Sequence, residues 1–165
     1  SSNGFRPVRP GMIHVTLKFL GETTHKQIID LQQGLEHIAS ISKPLELKIQ
    51  GIGVFTSWSH PRTIWAGLIS TIDLKNLASS VDQMCESLGF SAETRSFSPH
   101  LTLARVSERI DIQRTLQPLN LLRQYQESVF GSFHADHITL FKSTLTPGGS
   151  LYTPLSTHQF QSKKV

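Results

Sequence analysis

Hydrophobic and polar positions divide the chain into alternating strand-like and helix-like segments. Met12, Ile13, Val15, Leu17, Phe19 and Leu20 form an apolar run that predicts a buried strand over 12–20. Gly21-Glu22-Thr23-Thr24 reads as a turn, with Thr24 placed to cap a helix. Ile28, Leu31, Leu35, Ile38 and Ile41 then recur at helical spacing and predict a helix over 25–41, stopped by Lys43-Pro44. Residues 45–55 and 62–70 read as a strand pair joined by the turn-rich Thr56–Pro61. Leu74, Leu77, Val81, Met84 and Leu88 mark a second helix, closed by Gly89. A further strand is expected over 99–106 and a helical turn over 111–117 before Pro118. Strands near 128–143 and 151–160 flank Pro147-Gly148-Gly149.

This order predicts an α+β organisation in one domain, 1–165, with no biased linker to split it. A chain of 165 residues is long enough for a real core, and 38% hydrophobic with 17% charged residues describes a globular rather than a disordered protein. The formal charge of +4 suggests an anionic partner, but no long basic run favours coating of nucleic acid. The single Cys85 excludes an internal disulfide, fits a reducing compartment, and lies in an apolar helical stripe as a core thiol would. No apolar stretch approaches the roughly 18 residues of a membrane span, and the N-terminal residues lack a signal-peptide pattern. A cytoplasmic monomer is therefore expected.

The chemistry lies in a repeated tetrapeptide. His14-Val15-Thr16-Leu17 recurs as His100-Leu101-Thr102-Leu103. Positions i and i+2 of a strand share a face, so each copy sets an imidazole beside a hydroxyl. Two such strands facing each other would surround a small anion with two titratable groups and two donors. That is equipment for acid–base chemistry on a phosphate ester without a metal. Composition alone would give about a tenth of one such tetrapeptide. A third copy, His137-Ile138-Thr139-Leu140, shows that context must choose. The first copy continues as Lys18-Phe19-Leu20-Gly21-Glu22, and the second is framed by Arg95-Ser96-Phe97-Ser98-Pro99 and Ala104-Arg105. The third has no such surroundings.

HVTLKFLGE and RSFSPHLTLAR resemble the signatures of the two-histidine phosphoesterase superfamily. Within it they are most similar to the RNA 2′,3′-cyclic phosphodiesterases, once called 2′-5′ RNA ligases. Pro61-Arg62-Thr63-Ile64-Trp65-Ala66-Gly67 and the late stretches 140–145 and 152–155 share that resemblance, which spans about residues 6 to 160. It implies a bilobal, pseudo-twofold fold with two antiparallel sheets around a central cleft and helices outside. It puts the third copy on a late strand where the family shows no catalytic histidine, so His137 is expected to be structural or exposed. Family members carry a strand and a helix before the first motif. Only 13 residues precede His14, so both are expected to be missing, with 5–10 serving as the approach to the motif strand.

The resemblance implies opening of 2′,3′-cyclic phosphates to 2′-phosphates, with His100 as base, His14 as acid, and reverse 2′-5′ ligation as a minor activity. An imidazole titrates near pH 6.5, so both protonation forms are at hand. Thr16 and Thr102 would donate to the non-bridging phosphate oxygens. Arg105 is expected to bind substrate, although its position five residues after His100 gives it opposite parity on a regular strand. Arg62, Phe19 and Phe97 are weaker candidates for the phosphate or a stacked base. Trp65 reads as core. No cofactor or metal is expected. The partners implied are RNA 3′ ends, tRNA fragments among them, or cyclic nucleotides. Two other readings stay open. One is a metal-dependent hydrolase using His14, His100 and His137, which no His-Glu-x-x-His or aspartate-rich signature supports. The other is a nucleotide- or RNA-end-binding module without catalysis. A serine hydrolase is disfavoured, because no Gly-x-Ser-x-Gly element is present.

Overall fold

A computed structural model describes residues 4–69, 71–107, 112–146 and 149–161. Its elements are β1 (Phe5–Pro7), α1 (His25–Ile41), β2 (Leu45–Thr56), β3 (Pro61–Leu68), α2 (Ile72–Ser87), β4 (His100–Val106), α3 (Ile112–Leu122), β5 (Val129–Ala135), β6 (His137–Thr146) and β7 (Gly149–Gln159). The fold is α+β with two antiparallel sheets, of order β1-β4-β3-β2-β5 and β6-β7. The chain divides into two compact units, each assembled from three separate stretches. Ser1–Thr16, Leu47–Ser70 and Ser98–Phe133 make the first; Leu17–Glu46, Thr71–Phe97 and His134–Val165 make the second.

The second unit holds α1, α2 and the β6–β7 hairpin. Its core joins Leu31, Leu35, Ile38 and Ala39 of α1 to Leu77, Val81 and Cys85 of α2, and to Phe90, Ile138, Leu140 and Phe160. The apolar stripes read from the sequence are thus the faces that meet. Thr24 caps α1 as expected, in a reciprocal box. Its hydroxyl accepts from Gln27 N at 3.3 Å, and the Gln27 side chain accepts from Thr24 N at 3.1 Å. Gly89 closes α2 with φ +86, a left-handed conformation that favours glycine.

The first unit holds the five-stranded sheet and α3. The sheet's alternation is plain on β3, where Ile64, Ala66 and Leu68 are buried on one face with Leu101 and Val106 of β4.

Three expectations change. Residues 12–20 do not form one buried strand. Pro10–Met12 is a 3-10 turn, and only Val15 bridges to a strand, opposite Leu101. The chain leaves the first unit at Thr16, so the apolar run is divided between two units, with Leu17 and Leu20 packed against the core of the second. The approach segment 5–10 contains a strand of its own, β1, paired with β4. Finally, α3 does not stop before Pro118 but runs through it to Leu122. Proline fixes φ near its helical value and removes one backbone donor; the next residue, Leu119, is 1% exposed, and its burial offsets that loss. Residue 111, where this helical turn was expected to begin, lies outside the described residues.

Candidate active site

The His-x-Thr parts of both family-like motifs, 14–16 and 100–102, lie in the first unit, side by side. Phe5 pairs with Val106 and Pro7 with Ala104, so an unbroken ladder would set Pro10 opposite Leu101. Val15 stands there instead, five positions later. Residues 9–13 are looped out, and 14–16 resume the same edge of β4. With Val15 across from Leu101, the antiparallel register sets His14 across from Thr102 and Thr16 across from His100. The two histidines occupy one diagonal of a square and the two threonines the other. Such diagonal neighbours have Cα atoms about 7–8 Å apart, room for one tetrahedral phosphate between two imidazoles.

Each motif histidine is held in the same way. His14 Nδ1 donates to Met12 O at 2.8 Å and His100 Nδ1 to Ser98 O at 2.9 Å. A carbonyl only accepts, so the proton on Nδ1 is fixed and Nε2 is the nitrogen whose proton can change hands. His137 lacks this arrangement. It lies in the second unit, its Nδ1 is 2.6 Å from the carboxylate of Asp136 beside it, and its side chain is half exposed. That contact holds the Asp136 carboxyl below its ordinary pKa. The side-chain bonds thus separate the third copy from the other two.

The parity problem of Arg105 is solved by a bulge. Ile64 pairs with Ala104 but Trp65 pairs with Thr102, which leaves Leu103 as an extra residue on β4. Arg105 pairs with Thr63, and Thr63, Trp65 and Gly67 share one face of β3. Because Trp65 and Gly67 pair with Thr102 and His100, Arg105 lies on the motif face after all. Arg62 is exposed at the start of β3, within the bulge where Phe55 pairs with Thr63 and Thr56 with Pro61. Phe19 and Phe97 belong to the second unit, Phe19 being 76% exposed and Phe97 half-buried.

Aromatic side chains overlooked in the sequence border His100. Phe55 of β2 meets its ring edge-on at 4.8 Å between centroids, and Trp65 lies 6.3 Å from it. Phe55 and His100 are two strands apart, so their contact requires the sheet to curl toward the motif face. Trp65 lies flat over Gly53, where a Cβ would come within 2.1 Å of the indole. Its Nε1 is buried without a hydrogen-bond partner, a cost of about 1–3 kcal/mol accepted in holding the ring down. Trp65 is thus half-buried beside the site rather than a plain core residue. The signal in the sequence was Gly53 and Gly67, glycines in strands where an aromatic ring could settle.

Charge is divided between the units. The first holds eight Lys and Arg against three Asp and Glu; the second holds eight against nine. The first unit, which carries both His-x-Thr pairs, is thus net +5 and the second net −1. In the first unit seven of the eight cations are arginine, and in the second seven of the eight are lysine. Arginine is the residue that matches phosphate in bidentate fashion. Among the described residues no cluster of three or more His, Cys, Asp or Glu is arranged to hold a metal.

A fold of two antiparallel sheets with paired, carbonyl-anchored histidines in a cationic, arginine-rich unit describes a phosphoesterase. The profile of the family described as LigT like Phosphoesterase matches residues 1–65 and 70–152, and the chain belongs to that family. A protein of Methanocaldococcus jannaschii named RNA 2′,3′-cyclic phosphodiesterase is 35% identical over 152 residues, which cover 90% of this chain and 81% of that one. One of the same name from Aquifex aeolicus is 34% identical over 148 residues, covering 88% and 77%. Among solved structures, a protein of Thermus thermophilus superposes with a TM-score of 0.79 at 24% identity, over 97% of this chain and 84% of that one. LigT of E. coli, complexed with 3′-AMP, gives 0.71 at 24% identity over 97% and 83%. No helix among the described residues is long and apolar enough to cross a membrane.

Proposed function

We propose that this protein is an RNA 2′,3′-cyclic phosphodiesterase that opens the cyclic phosphate to a 2′-phosphate with two histidines and no metal. The observation that carries this reading is the matched pair of imidazoles, His14 and His100. Each is anchored through Nδ1 to a carbonyl two residues earlier, and the register sets them on one diagonal. Water attacks phosphorus as His100 Nε2 takes its proton. The bond from phosphorus to the ribose 3′ oxygen breaks, and His14 Nε2 protonates that oxygen. The products are a 2′-phosphate and a 3′-hydroxyl. Each proton transfer contributes on the order of 10²–10⁴ in rate. Thr16 and Thr102 donate to the two non-bridging oxygens, and Arg105 balances their charge. Arg62, in the same unit, contacts the rest of the nucleotide.

A 5′-hydroxyl in place of water would open the same ring and leave a 2′-5′ linkage, which is the weak reverse ligation. The substrates on this reading are RNA 3′ ends, tRNA fragments among them, or cyclic nucleotides, met by a cytoplasmic monomer. The alternative of a binding module without chemistry is separated by one experiment. RNA ending in a 2′,3′-cyclic phosphate is incubated with the protein in excess chelator. Ring opening supports the enzyme; retained binding without opening supports the module; activity restored only by added metal defeats the two-histidine mechanism.

A further inference from the structure

The sheet register places two arginines directly opposite each other. Arg6 of β1 pairs with Arg105 of β4, and Arg105 pairs in turn with Thr63 of β3. Paired residues share a face, so Arg6 stands on the motif face beside Arg105. Both are exposed, and among the described residues neither guanidinium has a carboxylate partner. Like charges directly across a strand pair are destabilising. Such a pair becomes favourable when an anion lies against it.

We propose that Arg6 is a substrate-binding residue that takes the phosphodiester preceding the cyclic phosphate, which makes an RNA strand rather than a mononucleotide the preferred substrate. This rests on the function proposed above. A cyclic phosphate diester carries a single negative charge, which two threonine hydroxyls and Arg105 already meet. A second guanidinium in the same row calls for a second phosphate. From the square of histidines and threonines to the row of Arg105 and Arg6 is about two residues along a strand, about 6.6 Å, comparable with the spacing of successive phosphates along a single strand. The first unit also holds an excess of cations, eight Lys and Arg against three Asp and Glu, which favours a longer anion over a single phosphate.

The test compares kcat/KM for adenylyl-adenosine 2′,3′-cyclic phosphate with that for adenosine 2′,3′-cyclic phosphate. Wild type prefers the dinucleotide. In Arg6→Ala the ratio of the two falls about tenfold, Arg6→Lys recovers part of it, and the salt dependence on the dinucleotide flattens by about 0.7 in log–log slope. Without ligand, Arg6→Ala melts at or above the wild-type temperature, because it relieves a repulsion. An unchanged ratio, or a loss equal on both substrates, overturns the inference. A wild type with no preference overturns it alone; a wild type that opens neither substrate overturns the proposed function as well.

Discussion

Replacing Gly53 with alanine tests whether the aromatic floor holds His100. A Cβ there would lie 2.1 Å from Trp65 Cζ2, 2.3 Å from Cη2 and 2.7 Å from Cε2. Carbon atoms settle about 3.5–4.0 Å apart, so the indole must lift by roughly 1.5 Å. The ring already lies close over Gly67 as well, where an added Cβ would be 3.3 Å from Cζ3. Phe55 lies 5.6 Å from the indole and 4.8 Å from His100 between ring centroids, so a lifted indole disturbs the ring that borders the imidazole. Gly53 is not among the glycines with positive φ, so alanine adds steric load and no backbone strain. Overpacking of this kind costs about 1–3 kcal/mol. For a chain of this size that lowers Tm by about 2–10 °C. A displacement near 1 Å at the imidazole lowers kcat by up to about 10². The assay pairs calorimetry with steady-state hydrolysis of a cyclic-phosphate dinucleotide for Gly53→Ala, Trp65→Leu and the double variant. Gly11→Ala, where a Cβ meets nothing within 4 Å, is the control. The alanine at 53 should cost much less once Trp65 is gone. If Gly53→Ala stays within about 0.5 kcal/mol and twofold in kcat, or costs the same without the indole, the floor does not position His100.

Other expectations are independent of that one. His137→Ala retains near wild-type kcat/KM, because its imidazole contacts the neighbouring Asp136 rather than a backbone carbonyl. Thr102→Val keeps the shape of the side chain and lowers kcat on the order of 10², read on the same substrate. The Asp82 carboxyl is held below its ordinary pKa chiefly by its hydrogen bond to Lys18, helped by the Glu93 amide and opposed by burial. A depressed folded-state pKa contributes stability above the unfolded value near 3.9 and loses it as pH falls. Urea midpoints should therefore drop between pH 5 and pH 3 by more in wild type than in Asp82→Asn. Burial pushes the Cys85 thiol up and the side chain is 1% exposed. Iodoacetamide should leave it unmodified until the protein is unfolded, as mass spectrometry would show.

The helices α1 and α2 were legible because their signals are local, whereas α3 reads too short because Pro118 looks like its stop. Thr24, the spacing from Ile28 to Ile41, and Gly89 specify ends and buried faces with no reference to the rest of the chain. The paired motifs were legible for the same reason, since strand parity sets His14 beside Thr16 and His100 beside Thr102. What escaped depended on register. The looped-out residues 9–13, the bulge at Leu103 that turns Arg105 to the motif face, and the meeting of Arg6 with Arg105 follow from which residues pair across strands. One chain position gives no hint of that. The apolar run 12–20 misled because it is divided between two units, with Leu17 and Leu20 packed in one core while Ile13 and Phe19 are exposed. Charge that looked scattered along the sequence is segregated in space, because each unit collects three distant stretches.

The most direct test of the two-histidine mechanism follows the phosphorus resonance of a short RNA ending in a 2′,3′-cyclic phosphate, in excess chelator, with wild type, His14→Ala and His100→Ala. Wild type should convert it to a single 2′-phosphate signal. Each variant should slow that conversion by at least about 10². A 3′-phosphate product, a requirement for metal, or full activity without either imidazole would contradict the mechanism.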